Sequence, residues 1–298
     1  TDEGVCEAHL DNKGQEFFLA FMPTVADSVS SPLCYLYITS DLPAIVTVQY
    51  PVNNPSINVN YNVSSNSPVT VALPAEAATG WAGGVQNNAI RVTATNEITV
   101  VMRNSASWEP DQALALPTDV LGNEYIIMSY PPSNQTNNSE YVIVATQDNT
   151  TITPSNVTLN RGEGYLVSSR YSLGGTIVTS NKPIAGGNGN KCTSVPEYTR
   201  NCQHLFEMAV PVNHWGTEVL SINHPQYCGD YRKTYYQVYA AQDNTHISLN
   251  GDPVATLNRG GHQEIIRLES DHVNRFTSDK PIFFVQYMNS VCAEYPYF

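Results

Sequence analysis

The chain has 298 residues, 41% of them hydrophobic, enough to bury one large core or several small ones. Charged residues make up only 14%, against about 25% in an average soluble protein, and Asn, Thr, Ser and Tyr take their place, which is an extracellular surface chemistry. Its 14 basic and 27 acidic side chains give a formal charge of −13, which repels phosphate backbones and anionic lipid and so excludes nucleic-acid and direct membrane binding.

The opening residues, Thr-Asp-Glu-Gly-Val-Cys, lack the charged and apolar regions of a signal peptide, and Thr1 reads as a mature start. Downstream, no apolar run approaches the ~18 residues that span a bilayer. Alternating β-branched and aromatic residues predict strands at 124–130, 141–145, 176–178, 235–239 and 282–287. The best helical candidate, 74–79, is one or two turns long. The chain therefore reads as all-β.

Self-comparison divides it further. Ala145-Thr-Gln-Asp-Asn-Thr-Thr-Ile152 returns as Ala240-Ala-Gln-Asp-Asn-Thr-His-Ile247, 95 residues later. Thr158-Leu-Asn-Arg-Gly162 and Thr179-Ser-Asn-Lys-Pro183 return as Thr256-Leu-Asn-Arg-Gly260 and Thr277-Ser-Asp-Lys-Pro281, both 98 residues later. Collinear matches at nearly constant spacing are a duplication. A third, diverged copy lies in front: Gly14-Gln-Glu16 corresponds to Gly122-Asn-Glu124 and Gly216-Thr-Glu218. In it Thr39-Ser-Asp-Leu-Pro43 stands for Gln-Asp-Asn, residues 69–74 for the Thr-Leu-Asn-Arg-Gly strand, and Thr93-Ala-Thr-Asn-Glu97 for Thr-Ser-Asn/Asp-Lys-Pro. The expectation is three small antiparallel sandwich-like units of six or seven strands, at 1–113, 114–207 and 208–298, packed into one assembly. Asp-Asn and Asn-Arg-Gly suit tight turns, and Lys-Pro is expected to turn the chain into the last strand of each unit.

Leu114-Ala-Leu-Pro117, Leu121-Gly-Asn-Glu-Tyr125, the Gln-Asp-Asn and Asn-Arg-Gly motifs, Gly189-Asn-Lys-Cys192 and Asn201-Cys-Gln-His-Leu205 together resemble the N-terminal domain of the IgG Fc-binding protein family. That resemblance implies a secreted, mucin-associated or adhesive binding role without catalytic residues. It carries over neither Fc binding nor any ligand-contact residue.

Six cysteines without a Cys-x-x-Cys pair read as disulfides. Cys192 and Cys202 bracket one loop and form the expected pair; Cys6 with Cys34 and Cys228 with Cys292 are the simplest completion among fifteen connectivities. Sequons at Asn62, Asn134, Asn137, Asn149 and Asn156 point with them to secretion.

Of possible chemical sites, Gly186-Gly-Asn-Gly-Asn190 lacks the following Lys-Ser/Thr of a phosphate loop and reads as a bulge or turn. His204, His214 and His224 recur every ten residues, a spacing that does not by itself gather three zinc ligands. Asp148, Asp243 and Asp279 fall one per turn, as caps rather than a calcium loop. No nucleophile elbow or zincin motif occurs, so neither catalytic residues nor a cofactor is expected. Exposed tyrosine beside arginine is typical of contact surfaces, which selects Tyr227, Tyr231, Arg232 and Lys233, followed by Trp81 and Trp108 in non-repeated stretches. The composite expectation is a secreted, non-catalytic recognition or adhesion module for a glycoprotein, mucin or glycan. The alternatives are a calcium-dependent lectin, a glycan-active enzyme, or a self-associating unit of an extracellular polymer.

Overall fold

The computed structural model describes residues 11–24, 34–81, 83–104, 110–133, 137–196, 202–222, 233–268 and 273–288. The first unit contains β1 (Gly14–Leu19), β2 (Cys34–Thr39), β3 (Ala44–Tyr50), β4 (Ile57–Val63), β5 (Val69–Leu73), the short helix α1 (Glu76–Thr79), β6 (Val85–Gln86), β7 (Ile90–Asn104) and β8 (Asp111–Leu114). The second has β9 (Gly122–Ile126), β10 (Ser139–Ala145), β11 (Thr150–Thr153), β12 (Val157–Leu159), β13 (Gly164–Ser169), β14 (Ile177–Thr193) and β15 (Gln203–Met208). The third has β16 (Gly216–Ile222), β17 (Lys233–Ala240), β18 (Thr245–Leu249), β19 (Asp252–Leu257), β20 (His262–Leu268) and β21 (Val273–Tyr287).

Each unit hangs on one long strand, β7, β14 or β21. Its first half pairs with the unit's opening strand and a hairpin strand, and its second half with a different partner, so one strand serves two curled sheet faces. The three faces of the chain are built in the same register. Gly14 opposes Ile98, Gly122 opposes Ile184 and Gly216 opposes Ile282, while Glu16, Glu124 and Glu218 oppose Thr93, Thr179 and Thr277. The first unit thus shares the register of the other two at the short Gly-x-Glu match. The all-β architecture of three curled antiparallel sheets is the one expected, with seven, eight and six strands. The eighth strand of the second sheet is β6, lent by the first unit to the edge of β13.

Turn chemistry explains the repeated motifs. Asn149 and Asn244 sit at φ 55° and 54°, and Gly162 and Gly260 at 78° and 77°; these left-handed conformations are cheap for asparagine and glycine. Two expectations are corrected. Asn181-Lys-Pro183 and Asp279-Lys-Pro281 do not turn the chain; they lie inside β14 and β21, at the register shift where the strand leaves one sheet face for the other. Proline is tolerated there because the ladder is already interrupted. Residues 69–73 form β5, which pairs with β2 as β13 pairs with β10. They therefore replace the strand after Asn-Arg-Gly, and the place of that turn falls to Ser64–Ser67, which has no arginine.

Gly186-Gly-Asn-Gly-Asn190 is likewise a run of strand within β14, with the bulge just beyond it, between Asn190 and Thr193. A Cβ on Gly189 would lie 1.8 Å from the Leu205 carbonyl oxygen, so only glycine lets β15 approach there.

Candidate functional site

The units stack head to tail, and the two joints are built from the same positions. At the first joint, Val142, Val144, Ala185, Phe206 and Met208 of the second unit join the core of the first, around Phe17, Phe18, Leu19 and Phe21. At the second joint the register positions of Val142, Val144 and Ala185 are held by Gln237, Tyr239 and Phe283, of which Tyr239 and Phe283 pack with Ile126 and Met128. The exchange turns a dry apolar contact into a partly polar one. Tyr239 donates to the Gln237 side-chain oxygen at 2.7 Å and Tyr287 donates to the same oxygen at 3.0 Å. Tyr130 donates to Glu264 at 2.5 Å. Counting on from Glu16 and Glu124, Ser129 stands where the first joint has Phe21, whose ring packs on Phe206 with centroids 6.4 Å apart.

A cavity of about 720 Å³ lies at this second joint, walled by Met128, Leu205, Phe206, Met208, Phe283 and Val285. Besides the phenol of Tyr287, three titratable groups border it: Asp111 on β8, and His204 and Glu207 on β15. They meet because β8 packs beside β15. Asp111 accepts the Gln112 backbone N–H at 2.8 Å; burial pushes its carboxyl up to about 7 against that hydrogen bond and one from Phe206. His204 is fully buried and stacked on Phe206, with centroids 6.2 Å apart. Burial pushes its imidazole down to about 3, so it is neutral at pH 7. Its Nδ1 is 3.6 Å from Asp111 Oδ2, too far for a hydrogen bond, and neither ring nitrogen has a hydrogen-bond partner among the described residues. Partial burial and then the nearby Asp111 charge raise Glu207 to about 7; its side chain remains exposed at the rim, where water weakens the effect.

The polar floor is fixed by asparagines. Asn188 accepts the Met128 N–H at 2.9 Å and donates to the Glu207 carbonyl at 3.2 Å. Asn190 accepts the Tyr130 N–H at 3.0 Å and donates to the Tyr130 carbonyl at 2.7 Å. A mostly apolar recess of this size with a few convergent polar groups of shifted pKa has the character of a binding pocket.

Of the residues singled out in the sequence, Asn188, Gly189, Asn190 and His204 line this recess and the other described ones lie outside it. Cys192 and Cys202 are joined, Cα to Cα 5.2 Å, next to the lining residue Gln203. Cys34 is buried on β2; Cys6, Cys228 and Cys292, Tyr227, Tyr231, Arg232, Trp108, Asn134 and His224 lie outside the described residues. Lys233 is exposed at the start of β17. Trp81 is half-buried at the first joint, where its Nε1 donates to the Phe21 carbonyl at 2.8 Å and its ring touches Gly164. Asn62, Asn149 and Asn156 are exposed, whereas Asn137 is buried with its Nδ2 directed to Cys202 Sγ at 3.4 Å. His214 bonds the Val120 carbonyl at 2.9 Å, away from His204. Among the described residues no three His, Cys, Asp or Glu side chains gather as a metal site. Asp111 and Glu207 carry no sequence motif; Glu207 follows His204 on β15, and Asp111 reaches them only through the packing of β8 on β15.

A profile of the IgGFc binding protein family matches residues 111–295, from the first residue of β8 through the third unit. The chain belongs to that family. The human IgGFc-binding protein is 25% identical over 230 residues, which cover 70% of this chain and 4% of that relative. The chain thus spans about 4% of the length of the curated relative it matches. No solved structure matches it. The family is a binding family, and the match contains every residue of the cavity except Pro110. No helix among the described residues is long and apolar enough to cross a membrane.

Proposed function

We propose that this chain is a secreted, non-catalytic recognition module that binds a glycoprotein or mucin, and that the cavity at the second joint receives part of that partner. The observation that carries the reading is the cavity itself: within a binding family, it opens where one repeat joint is closed and the other is not. Its apolar walls favour a polypeptide segment with an apolar side chain over a bare glycan, because burying such a side chain is worth roughly 1.5–3 kcal/mol. The near-neutral Asp111 and Glu207 can each donate or accept a hydrogen bond at pH 7. The loop around Tyr227, Tyr231, Arg232 and Lys233 and the Cys192–Cys202 loop are proposed to widen the contact, with glycans on the exposed sequons at Asn62, Asn149 and Asn156. Neither metal nor cofactor enters this reading.

The test is a surface-binding screen of the oxidised, glycosylated chain against immunoglobulin, mucins and a glycan panel, with and without calcium. Saturable binding to a glycoprotein or mucin, independent of calcium and weakened by filling the cavity with Val285→Trp, supports it. Calcium dependence would favour a lectin. A glycan-active enzyme would pair a protonated carboxyl with an ionised carboxylate; turnover of any glycan, abolished in Asp111→Asn or Glu207→Gln, would replace the present reading.

A further inference from the structure

Three contacts recur at each joint. The glycine that opens a unit receives a proline from the next: a Cβ on Gly14 would meet Pro117 at 2.3 Å, and one on Gly122 would meet Pro211 at 2.7 Å. Each proline leads into a single 3-10 turn, Thr118–Val120 or Val212–His214. The glutamate two residues later receives the arginine of the next unit's Asn-Arg-Gly turn: Arg161 reaches Glu16 at 2.8 Å, and Arg259 reaches Glu124 at 2.8 Å. The apolar residues that follow, Phe18 and Ala20 in the first unit and Ile126 and Met128 in the second, are then buried.

The arginine is presented by all three repeated motifs at once. Asp148 Oδ1 accepts the Arg161 N–H and Asp243 Oδ1 the Arg259 N–H, both at 3.0 Å. Lys182 and Lys280 bond the carbonyls of the same two aspartates. The motifs that read as turns therefore build a plug.

The third unit carries the matching socket, with no plug in it among the described residues. A Cβ on Gly216 would meet only atoms of Glu218, at 3.9 Å or more. Glu218 is paired at 2.7 Å with Arg275, the register counterpart of Arg91, which in the first unit shares Glu16 with Arg161. Leu220 and Ile222, counterparts of the buried Phe18 and Ala20, are 65% and 70% exposed, and Val273 beside Ile222 is 57% exposed. At the opposite end the first unit has no plug: its turn is Ser64–Ser67, and the face that would meet a preceding unit carries the hydrogen-bonded pair Tyr37 and Arg103. A polar face at one end and an apolar one at the other is what a stacked array shows when it is capped only at the first.

We propose that the Gly216–Ile222 face is a docking site for a further β unit of this same class, one that presents a proline-led turn to Gly216 and an Asn-Arg-Gly arginine to Glu218. A second copy of this chain does not fit the socket, because its two arginine plugs are already seated and its first unit has none.

The test places a reporter in the socket. Ile222→Cys is made in the full chain, and again in the full chain extended by a second copy of residues 208–298; maleimide labelling of the introduced thiol is compared with the unsubstituted proteins as background. The proposal expects rapid labelling in the unextended chain, labelling about tenfold or more slower in the extended one, and recovery when the added unit's counterpart of Arg259 is changed to Asp. Slow labelling in the unextended monomer would show the socket covered by the chain itself. Slow labelling that disappears on dilution, with a dimer in sedimentation, would assign it to a second copy. An added unit that stays protease-sensitive, or one that folds and leaves the labelling rate of that thiol unchanged, would also overturn the proposal.

Discussion

The two joints share one backbone plan and differ in what fills it. Val142, Val144 and Ala185, with Phe206 and Met208 of β15, close the first against Phe18 and Phe21, whereas at the second Tyr239 and Phe283 meet Met128, no described strand takes the place of β15, and a cavity of about 720 Å³ remains. Repetition fixes how units stack; departure from repetition decides where something else can enter. The same logic separates the socket of the third unit, which keeps the repeated glycine and glutamate, from the cavity, which keeps neither apolar filling nor closure.

The largest expected effect breaks the first joint. Val144→Asp places a charge in a dry contact and is expected to cost about 4 kcal/mol or more, seen as a lowered denaturation midpoint in urea. Tyr239→Phe at the matching position of the second joint is expected to cost only about 1 kcal/mol, because it removes one hydrogen bond and Tyr287 still bonds Gln237. Equal losses would mean that the two joints do not differ in character.

Acidity sharpens the contrast from within the cavity. His204, neutral down to about pH 3 when folded, binds fewer protons than its unfolded form below about pH 6.5, so it lowers stability as pH falls through that window. Asp111, raised to about 7, holds its proton longer in the fold; the stability it contributes is present below about pH 4 and is lost as pH rises toward 7. Accordingly, His204→Phe should raise the melting temperature more at pH 4 than at pH 7, and Asp111→Asn should raise it more at pH 7 than at pH 4. Parallel shifts at both pH values would contradict the assigned protonation states.

The plugs are expected to have small effects. Arg161 shares Glu16 with Arg91 and lies 5.2 Å over the Phe18 ring, while Arg259 meets only a half-exposed Glu124 among the described ion pairs. Arg161→Ala is expected to cost about 1–2 kcal/mol and Arg259→Ala under about 1 kcal/mol by chemical denaturation. The reverse order would show that the second joint depends on its arginine more than the first does.

Much of the fold was legible because its signals are local. Asn149, Asn244, Gly162 and Gly260 announce turns through their own backbone preferences, and a near-verbatim repeat announces two copies. Lys-Pro misled for the same reason: proline reports a broken ladder, and here the ladder breaks inside a continuous long strand. The cavity could not be read in this way. Its walls come from residues near 110, 128, 188, 205 and 285, brought together by stacking, and among the described residues the second half of β21 has no counterpart of β15, the strand whose Phe206 and Met208 help close the first joint.

The central claim is that partner binding belongs to the cavity and not to the repeated scaffold. Its most direct test is the affinity of two variants for the glycoprotein or mucin found in the screen: Val285→Trp, which fills the cavity, and Leu220→Asp, which alters the open socket. The account predicts that Val285→Trp binds at least about tenfold more weakly, a loss of about 1.4 kcal/mol, with an unchanged melting temperature, while Leu220→Asp binds as the unaltered chain does. Full affinity in Val285→Trp, or loss confined to Leu220→Asp, would contradict it.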